Sequence, residues 1–102
     1  QLLLNLVINA LQALGGKGTV SVRARREGSQ AVLLVGDDGP GVPREARARI
    51  FEPFFTTKPE GTGLGLAMAA RVASAHGGEI RLLPSESGAV FEVRIPEGGI
   101  HA

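Results

Sequence analysis

The first fourteen residues, QLLLNLVINALQAL, have the composition of an apolar helix that is interrupted at regular positions by amides. The amides are Gln1, Asn5, Asn9 and Gln12. On an α-helix, their spacing of four, four and three residues stacks them into one narrow stripe. Apolar residues cover the rest of the circumference, so we expect the helix to be buried on most sides. A buried amide without a partner costs about 1–3 kcal/mol, so the stripe needs either polar groups of the protein or a wet pocket that holds a ligand.

Composition narrows the class of protein. A chain of 102 residues is long enough for one domain with a single core. The formal net charge is only +1, and Tyr and Trp are absent, so we expect neither nucleic acid nor a membrane as a partner. Cys is also absent, which excludes disulfides and agrees with a cytoplasmic location. The chain begins inside a helix without a cap, so we expect residues 1–102 to be one domain of a longer protein.

The rest of the chain alternates between strand patterns and helix patterns. Val20, Val22 and Ala24 alternate with polar residues and predict a strand with one buried face. The patterns predict strands at 19–26, 31–35, 79–83 and 89–95, a short helix at 44–50 and a long helix from 63 to about 76. This order predicts an α+β fold, namely a two-layer α/β sandwich in which a mixed sheet has helices on one face.

Two loops contain residue types that bind ligands. The run GTGLGL at 61–66 leads into the long helix, where glycine N–H groups and the helix N-terminus favour a phosphate. It matches neither the P-loop nor the dinucleotide-binding pattern, and a glycine-rich helix start without a ligand is the alternative. Asp37 ends a strand before Gly39 and Gly41, where its carboxylate can accept N–H donors from an exocyclic amine beside a flat ring. The alternative is that the Asp37 side chain only hydrogen-bonds to the backbone of its own turn.

Two further features of the sequence indicate a function less specifically. The segment FEPFFTTKPEGT at 51–62 has no period, and segments of this kind in small domains are often functional. A loop that is merely packed is the alternative. His76 precedes Gly77 at a helix end, and we interpret it as part of the helix cap rather than as a catalytic group.

Four segments together resemble the catalytic ATP-binding domain of bacterial sensor histidine kinases, within the GHKL (Bergerat-fold) ATPase superfamily. The first helix is similar to the family's asparagine box, and DDGPGVP is similar to its first glycine box. IFEPFFTTK resembles the phenylalanine box, and GTGLGLAMAARVASAHGGEI resembles the second glycine box. The segments follow the family's order and span nearly the whole chain. FEPFFTTKPEGTGLGLA most resembles the nitrogen-regulation-type kinases, whose ATP lid is short.

The resemblance implies ATP and Mg²⁺ as cofactors and assigns roles by position. Asp37 would bind the adenine amino group, and Gly41 would support the ring. Asn9 would hold the Mg²⁺ that bridges the phosphates, with Asn5 supporting it from one turn earlier. Lys58 is the candidate for the γ-phosphate, and it shares the catalytic role with the two asparagines. The other residues implied in nucleotide binding are Gly39, Thr57, Gly61, Thr62, Gly63, Leu64 and Gly65.

One position separates the branches of the superfamily. In the hydrolysing members, such as gyrase-like topoisomerases and mismatch-repair ATPases, a Glu four residues before the magnesium Asn activates water. That position is Asn5 in this chain, so hydrolysis should be slow and the γ-phosphoryl group kept for another acceptor. The resemblance therefore favours the histidine-kinase branch.

Three departures from the family pattern bear on the site and the sheet. Gln12 stands where many members have a basic residue that contacts phosphate. Ala89 stands where the last strand often has a Thr whose hydroxyl helps to bind adenine through water. The strand that usually precedes the first helix is missing, so we expect one sheet edge to be open.

The sequence thus predicts a domain that binds Mg²⁺-ATP and donates the γ-phosphoryl group to a histidine in two-component signalling. The acceptor would lie on a separate dimerisation and phosphoacceptor domain, because neither His76 nor His101 lies in an acceptor motif. A response regulator would be an indirect partner, and the parent is expected to be a homodimer, either soluble or membrane-tethered. Two alternatives stay open: an ATP-hydrolysing relative of the superfamily, and a non-catalytic interaction module with the same fold.

Overall fold

A computed structural model describes residues 6–8, 10, 11, 14, 15, 17–52, 65–83 and 88–96. Its elements are the strands β1 (Val20–Glu27) and β2 (Gln30–Asp37), a 3₁₀-helix (Arg44–Ala46), the helix α1 (Gly65–Ala75), and the strands β3 (Glu79–Leu83) and β4 (Ala89–Pro96). Residues 6–8, 10, 11 and 14 are also helical, and we call them the N-terminal helical segment. The predicted α+β architecture, a sheet with helices packed on it, is confirmed.

The four described strands form one sheet in the order β1–β2–β4–β3. β1 pairs with β2 and β3 pairs with β4 as two antiparallel hairpins. The inner strands β2 and β4 also run antiparallel, with Asp37 opposite Ala89. The sequence predicted a mixed sheet, whereas the described strands are antiparallel throughout, because every neighbouring pair runs in opposite directions. β1 and β3 are the edges of the described sheet.

The helices bury one face of this sheet. α1 packs through Ala69 and Ala73, which lie one helical turn apart and are fully buried. Leu6 and Ala10 of the N-terminal helical segment join the same core. The sheet contributes Val35, Ala89, Phe91, Val93 and Ile95. Within the described residues, no helix combines the length and the apolar character that crossing a membrane requires.

The N-terminal helical segment is less buried than its sequence predicted. Leu6 and Ala10 are buried, whereas Ile8 and Leu11 are 42% and 55% exposed. Among its described residues, Leu6 and Ala10 join the core while Ile8 and Leu11 stay exposed, because a two-layer fold covers a helix on a single side. The expectation of burial on most sides is therefore wrong for the described residues, and the predicted amide stripe lies outside them.

β1 also lacks the buried face that its alternation predicted. Val22 and Val35 are cross-strand partners on the same face of the sheet. Val22 is nevertheless 48% exposed, while Val35 is 1% exposed. The described core is centred on the inner strands β2 and β4, so a side chain on the edge strand β1 stays largely in solvent.

The paired positions Val22 and Val35 allow a matched test of this burial. We expect Val35→Thr to lower the free energy of unfolding by about 1–2 kcal/mol, because it places a hydroxyl in an apolar core. We expect Val22→Thr to change it by less than about 0.5 kcal/mol. Urea denaturation followed by circular dichroism measures both variants, and equal losses would contradict the described burial.

The segment after Pro43 forms a 3₁₀-helix followed by turns, so the short helix predicted at 44–50 is helical only over Arg44–Ala46. Its backbone hydrogen bonds join residues three apart, from the Ala46 N–H to the Pro43 oxygen and from the Arg49 N–H to the Ala46 oxygen, both at 2.9 Å. Ala46 and Ile50 are buried and anchor the segment on the core. A segment this short does not offset the cost of nucleating an α-helix, and 3₁₀ turns are common connectors.

The helix α1 ends at its two glycines. Gly77 has a φ of 77°, and the Gly78 N–H donates to the Ala73 oxygen at 2.8 Å, which satisfies a carbonyl of the last turn. The His76 Nδ1 donates to the Val72 oxygen at 2.8 Å, and it carries the proton because a carbonyl only accepts. This contact supports the interpretation of His76 as part of the helix end.

The opposite face of the sheet carries a network of charges that reaches from β3 to β1. Arg94 donates to Glu92 at 3.0 Å and to Glu27 at 2.9 Å, and Arg81 donates to Glu92 at 2.8 Å. Glu92 is buried, and its pKa is lowered by the hydrogen bond from Arg81 and then by that from Arg94. The pKa of Glu27 is lowered by Arg25 and then by Arg94. Both carboxylates are therefore ionised at neutral pH.

Candidate functional site

Asp37 is the last residue of β2 and belongs to the face of the sheet that packs against the helices. Alternation along the strand places it on the same side as Val35. It lies opposite Val20 of β1 and opposite Ala89 of β4, and it is 8% exposed. Surface carboxylates are seldom buried to this extent without a specific partner, so Asp37 is a candidate for ligand binding.

The two carboxylate oxygens of Asp37 have different surroundings. Oδ1 accepts the Gly39 N–H at 3.0 Å, which is the local turn contact considered as the alternative to ligand binding. Oδ2 has no hydrogen-bond partner within the described part of the chain. No side-chain oxygen there is both buried and unpaired, so Oδ2 reaches the solvent. One oxygen therefore shapes the turn, and the other is available to a ligand.

Asp38 connects the same loop to β1. Its Oδ1 accepts the Thr19 N–H at 2.8 Å, and its own N–H donates to the Thr19 oxygen at 3.3 Å. The residue is exposed. These contacts attach the start of the loop to the neighbouring strand without using the Asp37 carboxylate.

Two glycines bring the loop after Asp37 onto the residue that precedes β4. Gly41 and Gly88 have φ values of 81° and 70°, in the left-handed region that glycine tolerates. A Cβ atom on Gly41 would lie 2.9 Å from the Gly88 oxygen. A Cβ atom on Gly88 would overlap the Asp37 oxygen. The main chains at these three positions therefore touch directly.

Gly88, which with Ala89 stands where the family's last strand often begins Gly-Thr, is the residue near the site to which the sequence analysis assigned no role. In the sequence it reads as the end of the turn before the last strand. The one available signal is that it directly precedes Ala89, but the pairing of Ala89 with Asp37 is known only from the sheet register. Ala89 is buried beside Asp37, so its methyl group occupies the position where the family often has a Thr.

The structure brings together Asp37, Gly39 and Gly41 among the predicted site residues. Gly65 is the first residue of α1 and lies within the helix predicted from 63 to about 76. The other predicted site residues lie outside the described residues: Asn5, Asn9, Thr57, Lys58, Gly61, Thr62, Gly63 and Leu64. The metal and phosphate parts of the site therefore stay predictions.

A groove of about 330 Å³ lies against the edge strand β3. Its lining consists of Arg47, Phe51, Ile80, Arg81, Leu82 and Leu83. None of these is a predicted site residue. The Phe51 ring meets the Phe91 ring edge-on, with centroids 6.1 Å apart, so this wall of the groove is part of the core. We therefore place the candidate site at Asp37 and not in this groove.

A sheet backed by helices, with a nearly buried Asp before a glycine turn, matches a known class of ATPases. The sequence pattern of the histidine kinase-, DNA gyrase B-, and HSP90-like ATPase family matches residues 1–99. The chain therefore belongs to this family of ATP-binding domains.

Similar proteins define the branch of the family. Sensor histidine kinase ZraS of Salmonella typhimurium is 45% identical over 98 residues, which cover 94% of this chain and 21% of that protein. The nucleotide-free catalytic domain of histidine kinase ThkA superposes with a TM-score of 0.84 at 40% identity, covering 95% of this chain and 64% of that structure. The histidine-kinase branch predicted from the sequence is confirmed, and the chain spans about a fifth of the length of ZraS.

Two further similar structures are complexes of individual histidine kinases. Full-length ShkA in complex with AMPPNP has a TM-score of 0.81 at 39% identity and covers 93% of this chain and 20% of that one. ThkA in complex with the response regulator TrrA has a TM-score of 0.80 at 34% identity and covers 97% of this chain and 28% of that one. The chain is thus similar to the catalytic ATPase part of histidine kinases.

Proposed function

We propose that this domain binds Mg²⁺-ATP through Asp37 and donates the γ-phosphoryl group to a histidine on a separate dimerisation and phosphoacceptor domain. The observation that carries the proposal is the nearly buried Asp37 carboxylate, whose Oδ2 is accessible while Oδ1 is held by Gly39. Membership of an ATP-binding family supports the choice of nucleotide. The similarity to sensor histidine kinases supports the choice of acceptor.

The residues at Asp37 fit an adenine ring. The exocyclic amine of adenine is a donor, and the accessible Oδ2 is a carboxylate acceptor, a pairing worth about 1.5–3 kcal/mol. Because Oδ1 already accepts the Gly39 N–H at 3.0 Å, the carboxylate is oriented before a ligand arrives. Gly39 and Gly41 have no side chains that would block a flat ring.

The phosphate end of the proposed site is assigned from the family pattern. Gly61, Gly63 and Leu64 would donate backbone N–H groups where the chain enters α1, and Lys58 would contact the γ-phosphate. α1 has no acidic residue in its first turn, so no carboxylate of that turn opposes the phosphates. The amide oxygens of Asn9 and Asn5 are hard ligands of the type that Mg²⁺ prefers, and they would hold it.

The residues of this chain would act by positioning. Bound ATP supplies the transferable phosphoryl group. Asp37 and the loop that contains Gly39 and Gly41, which we call the glycine loop, would hold the base, and the start of α1 would hold the phosphates in one orientation. Asn5 cannot act as a general base, so it would not activate a water molecule at the position where the hydrolysing members have a Glu. Transfer to a histidine is thereby favoured over hydrolysis.

The proposed partners follow from the same similarity. The parent protein would be a homodimer whose phosphorylated histidine serves a response regulator, as the ThkA complex with TrrA suggests for a related kinase. We place the domain in the cytoplasm, within a parent that is either soluble or membrane-tethered.

Nucleotide-dependent stabilisation tests the proposal directly. We expect Mg²⁺-ATP at about 100 times its Kd to add about 2.7 kcal/mol of stability. For a domain of this size that raises Tm by roughly 10 °C or more, as measured by differential scanning fluorimetry. The same concentration of ITP, which lacks the amino group, should have a clearly smaller effect. No shift with ATP would favour a non-catalytic interaction module.

Phosphate release separates the kinase from the hydrolysing relative. We expect the domain alone to release phosphate from ATP no faster than its Asn9→Ala variant, because the proposed acceptor is on another domain. A colorimetric phosphate assay under excess ATP measures this rate. Steady release that Asn9→Ala abolishes would favour an ATP-hydrolysing member of the superfamily.

A further inference from the structure

We infer that Gly88 is a positioning residue of the base-binding side of the nucleotide site. By lacking a side chain, it lets the main chain before β4 lie directly on Asp37, and that contact sets where the Asp37 carboxylate points. The inference rests on the proposed function, because it concerns the same site. It adds a residue that lies on a different strand connection from the glycine loop.

The contact between Gly88 and Asp37 involves only main-chain atoms. A Cβ atom on Gly88 would overlap the Asp37 oxygen, and it would lie 2.7 Å from the Asp37 carbonyl carbon and 3.0 Å from the Asp38 Cα. None of these atoms is the far end of a flexible side chain. A methyl group at Gly88 can therefore be accommodated only if the backbone of β2 or of Gly88 itself moves.

Two further contacts transmit such a movement to the site. Asp37 pairs with Ala89, so the strand end that carries the carboxylate is joined to the residue after Gly88. The Gly88 oxygen also lies 2.9 Å from where a Gly41 Cβ would be, so the glycine loop rests on the same peptide. Displacing Gly88 shifts both the acceptor for the amine and the surface for the ring.

Hydrogen-bond geometry makes the site sensitive to this displacement. Good N–H···O bonds span only about 2.7–3.2 Å, so a shift of a few tenths of an ångström at Asp37 weakens the bond to the base. The distance from Oδ1 to the Gly39 nitrogen is already 3.0 Å, towards the long end of this range. We therefore expect Gly88 to affect binding of the base more than binding of the phosphates.

The chain contains a matched control for the backbone conformation. Gly28, in the turn between β1 and β2, has a φ of 59°, close to the 70° of Gly88. A Cβ atom on Gly28 would have nothing within 4 Å. Gly88→Ala and Gly28→Ala thus impose a similar left-handed strain, but only Gly88→Ala adds the overlap with Asp37.

Isothermal titration calorimetry of the two variants with adenosine and with ATP tests the inference. We expect Gly88→Ala to bind both ligands at least about tenfold more weakly than wild type, by the same factor, because the defect lies at the base. Gly28→Ala should bind them within about twofold of wild type. In the Asp37→Asn background, Gly88→Ala should cause a smaller further loss than it causes in wild type, because the part that acts through the Asp37 carboxylate is already lost. Wild-type affinity in folded Gly88→Ala, or an equal loss in Gly28→Ala, would overturn it.

A measurement on the wild-type protein covers the case in which Gly88→Ala does not fold. In amide NMR spectra, saturating adenosine should shift the Gly88 and Gly39 signals and leave the Gly28 signal in place. An unmoved Gly88 signal beside a shifted Gly39 signal would overturn the inference while leaving the proposed function intact. Absence of any binding by wild type would instead remove the proposed function.

Discussion

ATP should bind the Asp37→Asn variant about 10–100 times more weakly than wild type, which is the loss of one hydrogen bond to a charged acceptor. The reason is the division of the two carboxylate oxygens. Oδ1 accepts the Gly39 N–H at 3.0 Å, and Oδ2 is the accessible acceptor. An amide has a single oxygen, so once that oxygen serves Gly39, an NH₂ group faces the amine of adenine. Two donors then oppose each other.

The same argument predicts a change in base preference. ITP carries a carbonyl oxygen where ATP carries the amino group, and the amide NH₂ of Asp37→Asn can donate to that oxygen. The ratio of ATP affinity to ITP affinity should therefore be well above one in wild type and below one in the variant. Calorimetric titration with each nucleotide measures the ratio. An equal loss of affinity for both nucleotides would show that Asp37 supports the fold and does not distinguish between the two bases.

Asp38→Asn is the control for charge. It removes one negative charge at the adjacent position, and its amide oxygen can still accept the Thr19 N–H that Asp38 accepts at 2.8 Å. We expect ATP affinity and base preference close to those of wild type. If Asp38→Asn weakened ATP as much as Asp37→Asn does, general electrostatics would explain the loss, and Asp37 would not belong in the site.

Glu92→Gln should lower the free energy of unfolding by about 1–3 kcal/mol at neutral pH, because it removes a buried acceptor charge between two arginines. Arg81 and Arg94 donate to the Glu92 carboxylate at 2.8 and 3.0 Å. An amide keeps the shape but pairs weakly with guanidinium groups. For a domain of this size, each 1 kcal/mol corresponds to a Tm shift of roughly 4–8 °C, which calorimetry resolves.

The pH dependence of this loss follows from the lowered pKa of Glu92. Hydrogen bonds from Arg81 and then from Arg94 hold the folded-state pKa below the ordinary value of 4.5. A lowered pKa means that the unfolded chain binds the proton more readily, so the stabilisation is complete above pH 4.5 and is lost as pH falls through the folded-state pKa. Wild type and Glu92→Gln should therefore converge in stability in acid.

Glu52→Gln is the matched surface control for Glu92→Gln. Glu52 pairs with Arg49 at 3.4 Å, and both side chains are more than half exposed. An exposed pair of this kind contributes less than about 1 kcal/mol, so we expect little change. Urea midpoints at neutral and acidic pH measure all three proteins. Equal losses in the two variants, or a loss for Glu92→Gln that persists unchanged in acid, would contradict the described network.

The local pattern of apolar and polar residues predicted the strands, because period-two alternation and glycine turns depend on neighbouring residues. The pattern failed for Val22, whose place in the alternation predicted a buried side chain although it lies on an edge strand. It also failed for most of the helix predicted at 44–50, because so short a segment does not offset the cost of nucleating a helix. It also overestimated the burial of Ile8 and Leu11. In each case the missing information was which other element covers the residue, and that depends on contacts distant in sequence.

The sequence by itself determined the family, the order of elements and the choice of Asp37 as the base-binding candidate, because these rest on residue types and short spacings. Only the tertiary structure decided that Gly88 touches Asp37, that one Asp37 oxygen is engaged and the other available, and that Glu92 is buried between two arginines. The physical reason is strand register. β2 and β4 are far apart in the chain, and their pairing alone decides which main-chain and side-chain atoms meet.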